Sequence, residues 1–314
     1  PQYPTESSNI MSETIHHANR PAIPVIVHRK QPLVHDLMCA TTTLAERQAA
    51  YFEGLAWGLA GNVKHSLDIE YGTVRLGHDL MPDAYNLLTL PDDNLKLDKA
   101  YTPSVGLTCQ AAISQLSDGT RIENCPHRGK CTLLCLGGHG KGSIPKNVRT
   151  RNAKSEFFAT KPIAALTLLG RDLGGQLRKY GKILFRPDVN QEYDWHQILG
   201  DAFQRTPGMT PYGYKKDTQI MHGRPTGLDH VAYSFNEASD WAEVEAFVLD
   251  GGNTAVVTNR KKGQSVEQWH PTLRVVDAGK SDEWMIRSKG VIGDLPALGR
   301  ARRMLDTGFV QNVY

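Results

Sequence analysis

From residue 164 to residue 277 the chain switches between short apolar strands and helical stretches, and this alternation restricts the fold more than any other feature. Lys182-Ile-Leu-Phe-Arg186, Asp229-His-Val-Ala-Tyr-Ser-Phe235, Thr254-Ala-Val-Val-Thr258 and Leu273-Arg-Val-Val-Asp277 read as strands. Residues 197–203 and 242–249 read as helices between them, and residues 164–180 form a helix before the first, stopped at Gly181 with Arg178 and Lys179 at its negative pole. Strands separated by helices mean a parallel sheet covered on both faces. The expected class is α/β, a full or partial β/α barrel with an N-terminal extension and a cysteine-rich metal loop.

Parallel sheets gather their sites at the C-terminal ends of the strands. Arg186, Asp188, Glu192, Asn236, Asn259 and Asp277 are therefore expected to converge on one rim. Asp188, Glu192, Asp277 and Asp282 would orient a polar substrate, and Arg186 and Lys216 would neutralise an anionic one. For any single residue of this set, capping a helix is the competing reading.

The stretch from Cys109 to Gly142 holds four of the five cysteines, three of them spaced as Cys125-x5-Cys131-x3-Cys135, followed by Gly137 and Gly138. Structural zinc generally uses two tight C-x2–4-C pairs, and this segment has no two of them, whereas wider gaps suit a loop wrapped round a larger object. An iron-sulfur cluster, expected as [4Fe-4S], is the leading reading, with zinc as the alternative and unligated or disulfide-bonded thiols the third. The backbones of Gly137 and Gly138 can approach a sulfide or an anionic ligand because no side chain intervenes. Cys109 is either the fourth ligand or a small buried hydrophobe. Cys39 reads as packing, and His127 and His139 as hydrogen-bonding neighbours of the ligands.

With 314 residues, 40% of them hydrophobic, the chain can build one large domain or two ordinary ones. Residues 1–30 read as a mobile arm in which Met11 could be the native start, 31–102 as a helical and irregular extension, and 103–314 as the cysteine loop plus the barrel-like domain. Within the extension, Thr41-Thr-Thr supplies hydroxyl caps for a helix that ends at Gly61. A net charge of +3 argues neither for nor against nucleic acid. Local clusters matter more: Lys146, Arg149, Arg151 and Lys154 at helical spacing, with Lys141 and Arg260-Lys-Lys262, could follow a phosphate backbone, or could simply be solvated. Trp195, Trp241, Trp269 and Trp284 could stack on bases or lie in the core. No apolar run approaches the ~20 residues of a bilayer crossing, no secretion signal is visible, and an odd cysteine count does not fit a secreted disulfide framework. An intracellular protein with no membrane partner is expected.

Several elements in order resemble the gene-product-88 domain of bacteriophages and mobile elements: the cysteine spacing with its glycine turn, the basic helix ending in Phe157-Phe158, the Arg186-to-Trp195 turn, Tyr212-Gly-Tyr214-Lys-Lys216, Ser234-x-Asn236-Glu237, Gly252-Asn-Thr-Ala-Val-Val257, the Asp277-to-Asp282 turn, and Leu298-Gly-Arg-Ala-Arg302 with Asp306-Thr-Gly-Phe-Val310. The resemblance covers roughly residues 103 to 314. It implies a phage or plasmid origin, the cytoplasm of an infected host cell and a cysteine-bound metal centre, while fixing no reaction. A cysteine loop before a β/α series also resembles radical S-adenosylmethionine enzymes, which implies that cofactor at a three-cysteine cluster. The C-x5-C-x3-C spacing here departs from their usual C-x3-C-x2-C.

Overall fold

The computed structural model describes residues 12–13, 25–26, 31–61, 87–90, 102–134, 143–303 and 305–314. Helix α1 spans Val34–Ala40 and α2 spans Leu44–Ala60. Of the three threonines before α2, Thr43 is the cap: its hydroxyl accepts from Glu46 N while the Glu46 carboxylate accepts from Thr43 N, and Gly61 ends the helix at φ 82°. Thr43→Ala should cost about 1 kcal/mol in urea unfolding, and an unchanged midpoint would contradict the reciprocal cap.

The remaining order is β1 (Leu88–Thr89), β2 (Ser104–Leu107), β3 (Ile113–Gln115), β4 (Arg121–Glu123), α3 (Pro145–Thr160), α4 (Pro162–Tyr180), β5 (Ile183–Arg186), α5 (Trp195–Leu199), β6 (Met209–Lys215), β7 (His230–Ser234), α6 (Trp241–Leu249), β8 (Asn253–Thr258), β9 (Val275–Asp277), α7 (Trp284–Arg287), β10 (Ile292–Pro296) and β11 (Val310–Gln311). β3 and β4 form a separate hairpin. Residues Ser12–Glu13 and Val25–Ile26 pair antiparallel by themselves, and the remaining strands make one nine-stranded sheet in the order β9-β10-β8-β7-β6-β5-β2-β1, with β11 also paired to β8. Every pairing in it is parallel except β1 with β2.

The fold is thus mixed α/β with a mostly parallel central sheet. From β2 through β5, β6, β7 and β8 each strand lies beside its predecessor, as in a β/α barrel. The progression then breaks, because β9 goes to the edge and β10 inserts between it and β8. The ends of the path, β9 and β1, do not pair with each other among the described residues, and no closed barrel is seen.

Of the strands that escape sequence reading, two have a compositional reason. β6 contains Pro211 and Gly213, and β10 contains Gly293, Asp294 and Pro296, residue types depleted from strands. Gly293 has a packing reason: a Cβ there would lie 2.5 Å from the Trp284 ring, which covers that face of the sheet.

Side chains alternate across the sheet with the two-residue period of strands. Ile183, Phe185 and Met209 join α1 to α5 in the largest core cluster, and Tyr233, Val256 and Ile292 pack with Val244 and Val248 of α6. On the opposite face Leu184, Tyr212, Ala232 and Ala255 pack with Trp284 and Met285. The 31–61 segment therefore shares its core with the 103–314 segment. Arg47 of α2, buried, donates to the carbonyls of Gln197 and Ile198 and so caps the end of α5.

The basic helix is not one solvated face. Lys146 and Arg149 are exposed, but Arg151 is buried and donates to Gln110 Oε1, and Lys154 is buried with Nζ 2.6 Å from the Leu87 carbonyl. Arg260 is buried against Asp294 and Asp277. These three cations, expected on a nucleic-acid face, are turned inward, and Lys141 lies outside the described residues. Among the described residues, no helix is long and apolar enough to cross a membrane.

Candidate functional site

The polar turn after β5 and the end of β6 make the centre of the rim. Asp188 is buried, and its carboxylate accepts from Lys215 Nζ at 2.6 Å, Trp195 Nε1 at 2.9 Å and Tyr193 N at 3.1 Å. Lys215 Nζ also donates to the Tyr193 carbonyl at 2.6 Å. Arg186 leaves on the other face of the sheet: its guanidinium meets Asp282 at 2.7 Å and lies 4.8 Å over the Tyr214 ring, whose hydroxyl donates to Asp282 Oδ1. Two of the expected catalytic residues, Asp188 and Arg186, are thus members of closed buried ion pairs.

Glu192 differs. It is 4% exposed, its Oε1 accepts from Lys216 N at 2.7 Å, and its Oε2, with Lys216 Nζ 3.9 Å away, accepts no hydrogen bond from any described group. It lines a cavity of about 330 Å³ that also borders His35, Asp36, His127, Asp194, Lys215, Asp217 and Arg224. Asp194 caps α5 through Gln197 N, Asp217 caps the turn at 218–222, and Arg224 bridges them at 2.6 and 2.8 Å. His127 stands 3.8 Å from Asp217. A cavity of this volume is large enough for a small organic ligand.

Burial holds the His35 imidazole below its ordinary value, against the upward pull of Asp36, Asp194 and Asp188. The unfolded chain then binds more protons than the folded one just below the ordinary value of about 6.5, so stability is full above that pH and falls as the solution is acidified through it. Urea midpoints at pH 7 and pH 5.5 should differ more for the wild type than for His35→Asn. Equal differences would show that His35 is not the group responsible.

The cysteine loop reaches this rim. Glu192 N donates to the Asn124 carbonyl at 2.8 Å, and Cys125 Sγ lies 3.7 Å from the Asn190 carbonyl. Farther along, Lys130 N donates to Glu237 Oε1 beyond β7, and Lys130 Nζ to the Thr307 carbonyl at 3.1 Å. A Cβ on Gly129 would lie 2.0 Å from the same Glu237 oxygen, so glycine lets the loop sit against that carboxylate. Cys125 is buried and Cys131 half-buried.

Of the expected ligands, Cys109, Cys125 and Cys131 lie among the described residues. Cys109 is fully buried in the largest apolar cluster, where burial pushes its thiol up to about 12. No three histidine, cysteine or carboxylate side chains among the described residues are grouped to hold a metal ion. Cys39, Cys109, Cys125 and Cys131 are in no disulfide. Cys135, Gly137, Gly138 and His139 lie outside the described residues.

The other expected site residues scatter. Asn236 closes its own turn, its Oδ1 accepting from Ala238 N and its Nδ2 donating to the Ser234 carbonyl. Asn259 holds the Val313 and Tyr314 amides. Asp277 pairs with Arg260 at 2.7 Å at the end of the edge strand β9, five strand spacings from β5, roughly 24 Å along the sheet. Trp195 and Trp284 are buried, and Trp241 and Trp269 pack edge-to-face at 6.0 Å. His35, Lys215, Asp217 and Arg224 were not anticipated. Lys215 would have followed from recognising β6, since it closes that strand.

The profile described as gene product 88 matches residues 86–312. The chain belongs to the gene product 88 family. This is the phage gene-product family whose motifs it resembles, and the match takes in β1, which the resemblance left out. No curated protein and no solved structure matches the chain.

Proposed function

We propose that this gene product 88 protein is a small-molecule enzyme whose site is the cavity at the ends of β5 and β6, with Glu192 as its proton acceptor. The observation that carries this is Glu192, a buried carboxylate among the residues that line the cavity, held by Lys216 N at Oε1 and with Lys216 Nζ 3.9 Å from Oε2. A buried carboxylate oxygen without a hydrogen bond costs about 1–3 kcal/mol, offset in part here by the Lys216 ammonium. The substrate is polar, and the reaction class is proton transfer to a fixed carboxylate. Lys215, locked by Asp188 and the Tyr193 carbonyl, positions the wall that carries Glu192.

A thermal-shift screen of small polar metabolites tests this. A ligand at a hundred times its Kd adds about 2.7 kcal/mol to the folded state, so hits should raise the wild-type midpoint and fail to raise that of Glu192→Gln. No hits, or hits indifferent to Glu192→Gln, would contradict it.

A second reading keeps the metal, favoured by the pinning of the cysteine loop over the same rim. It assigns Cys125, Cys131 and Cys135 as the thiolates of an iron-sulfur cluster, with zinc as the alternative, and removes Cys109 from the shell. Three protein thiolates leave one coordination position for an exogenous ligand such as S-adenosylmethionine. Oxygen-protected protein should then contain about four irons per chain and lose them in Cys131→Ser. Metal-free protein, or one zinc per chain, would rule the cluster out.

A further inference from the structure

Part of the cavity wall lies outside the residues that match the family. The match begins at residue 86, yet Leu33, His35 and Asp36 line the cavity too. This part of the wall is fixed on both sides of α1. Before it, Glu123 N donates to the Pro32 carbonyl at 2.9 Å, and Leu33 makes a parallel bridge to Glu123, two residues short of Cys125. After it, Arg47 and Gln48 of α2 donate to the Ile198 and Leu199 carbonyls of α5 at 2.7 and 2.8 Å. Between them Val34 and Met38 anchor α1 in the largest core cluster. The wall is therefore built into the core and does not hang from the chain as a loop.

His35 is the chemically distinctive side chain of this wall. It is 8% exposed, its Nε2 lies 3.9 Å from Asp36 Oδ1, outside hydrogen-bond range, and neither ring nitrogen has a hydrogen-bond partner among the described residues. Unlike Glu192 Oε2, both nitrogens remain open to water. Buried polar side chains are nearly always paired. His270, equally buried, shows the usual case: its Nδ1 accepts from Leu273 N at 3.1 Å and its Nε2 lies 3.2 Å from Glu245 Oε1. The charged groups around His35 are Asp36 on its own helix, Asp188 and Asp194 from the turn before α5, and Lys215 from β6, and burial outweighs the three carboxylates in holding the ring neutral at pH 7. A neutral imidazole offers one donor and one acceptor. Resting on the reading of this cavity as the ligand site, we infer that α1 is its specificity wall and that His35 is the side chain through which that wall hydrogen-bonds the substrate.

Diethyl pyrocarbonate, which acylates neutral imidazoles, tests this on the full chain at pH 7, with the modified sites read by peptide mass mapping. His35 should react at least tenfold faster than His270, which is as deeply buried but engaged at both nitrogens, so that general opening of the fold cannot imitate the difference. Compounds that raise the wild-type midpoint in the thermal-shift screen should shield His35 from the reagent. In His35→Asn and His35→Gln, each checked for folding by its own midpoint without ligand, the order of affinity among those compounds should change, with at least one moving tenfold. A side chain that only filled space would leave that order alone. His35 reacting no faster than His270 would overturn the inference, and so would fast reaction that no hit shields, with the order kept in both variants. In either case, hits that still depend on Glu192 would leave the cavity reading standing. A screen without hits would overturn that reading and this inference with it.

Discussion

Asp188→Ala should lower the folding free energy by about 3–5 kcal/mol, the range for removing one partner of a buried ion pair. Lys215 would be left charged and 5% exposed with one carbonyl as partner, and Tyr193 N and Trp195 Nε1 would lose their acceptor. Three donors converge on this one carboxylate, so it does structural work at a position that sequence rules assign to catalysis. Urea unfolding checks the loss. A double variant, Asp188→Ala with Lys215→Met, should recover a large part of it, because the uncompensated charge goes too. A loss under 1 kcal/mol for the single variant would mean that the pair is not closed as described.

Gly170→Val should cost about 3 kcal/mol, for a reason of shape rather than charge. Helices α2 and α4 cross with their backbones in contact. A Cβ on Gly170 would lie 2.1 Å from the Tyr51 carbonyl oxygen, and on Gly54, 1.9 Å from that of Thr167. The same holds one turn on, for Gly58 against Arg171 and Gly174 against Leu55. Carbonyls inside a helix cannot move aside, so the helices must separate and lose contact along the crossing. Gly175, the next residue of α4, has nothing within 4 Å of its Cβ direction. Gly175→Ala should therefore stabilise by about 0.5–1 kcal/mol through helix propensity alone. Equal effects at 170 and 175 would contradict the crossing.

The contrast between Asp188 and Glu192 shows where sequence reading stops. Both lie in the polar turn after β5, and the rule that parallel sheets place function at strand ends selects them equally. Only the fold shows that Asp188 meets Lys215 while Glu192 Oε2 meets no donor, because Lys215 arrives from a strand hidden by Pro211 and Gly213. His35 comes from a helix some 150 residues earlier, and no local pattern links it to Glu192. Periodicity placed α3 correctly but could not say which cations face inward, since Lys154 is drawn in by a carbonyl of the distant Leu87. The convergence expected of Asp277 fails because β10 inserts inside β9 and leaves β9 at the edge. The glycines of the α2–α4 crossing were legible as two pairs four residues apart, but such spacing becomes a contact only when two helices share it at one height.

The crystal structure of the protein soaked with the strongest hit of the thermal-shift screen tests the central claim most directly. The ligand is predicted in the cavity bordered by His35, His127 and Asp217, in contact with Glu192. Ligand density elsewhere, with Glu192 Oε2 still without a donor, would contradict it.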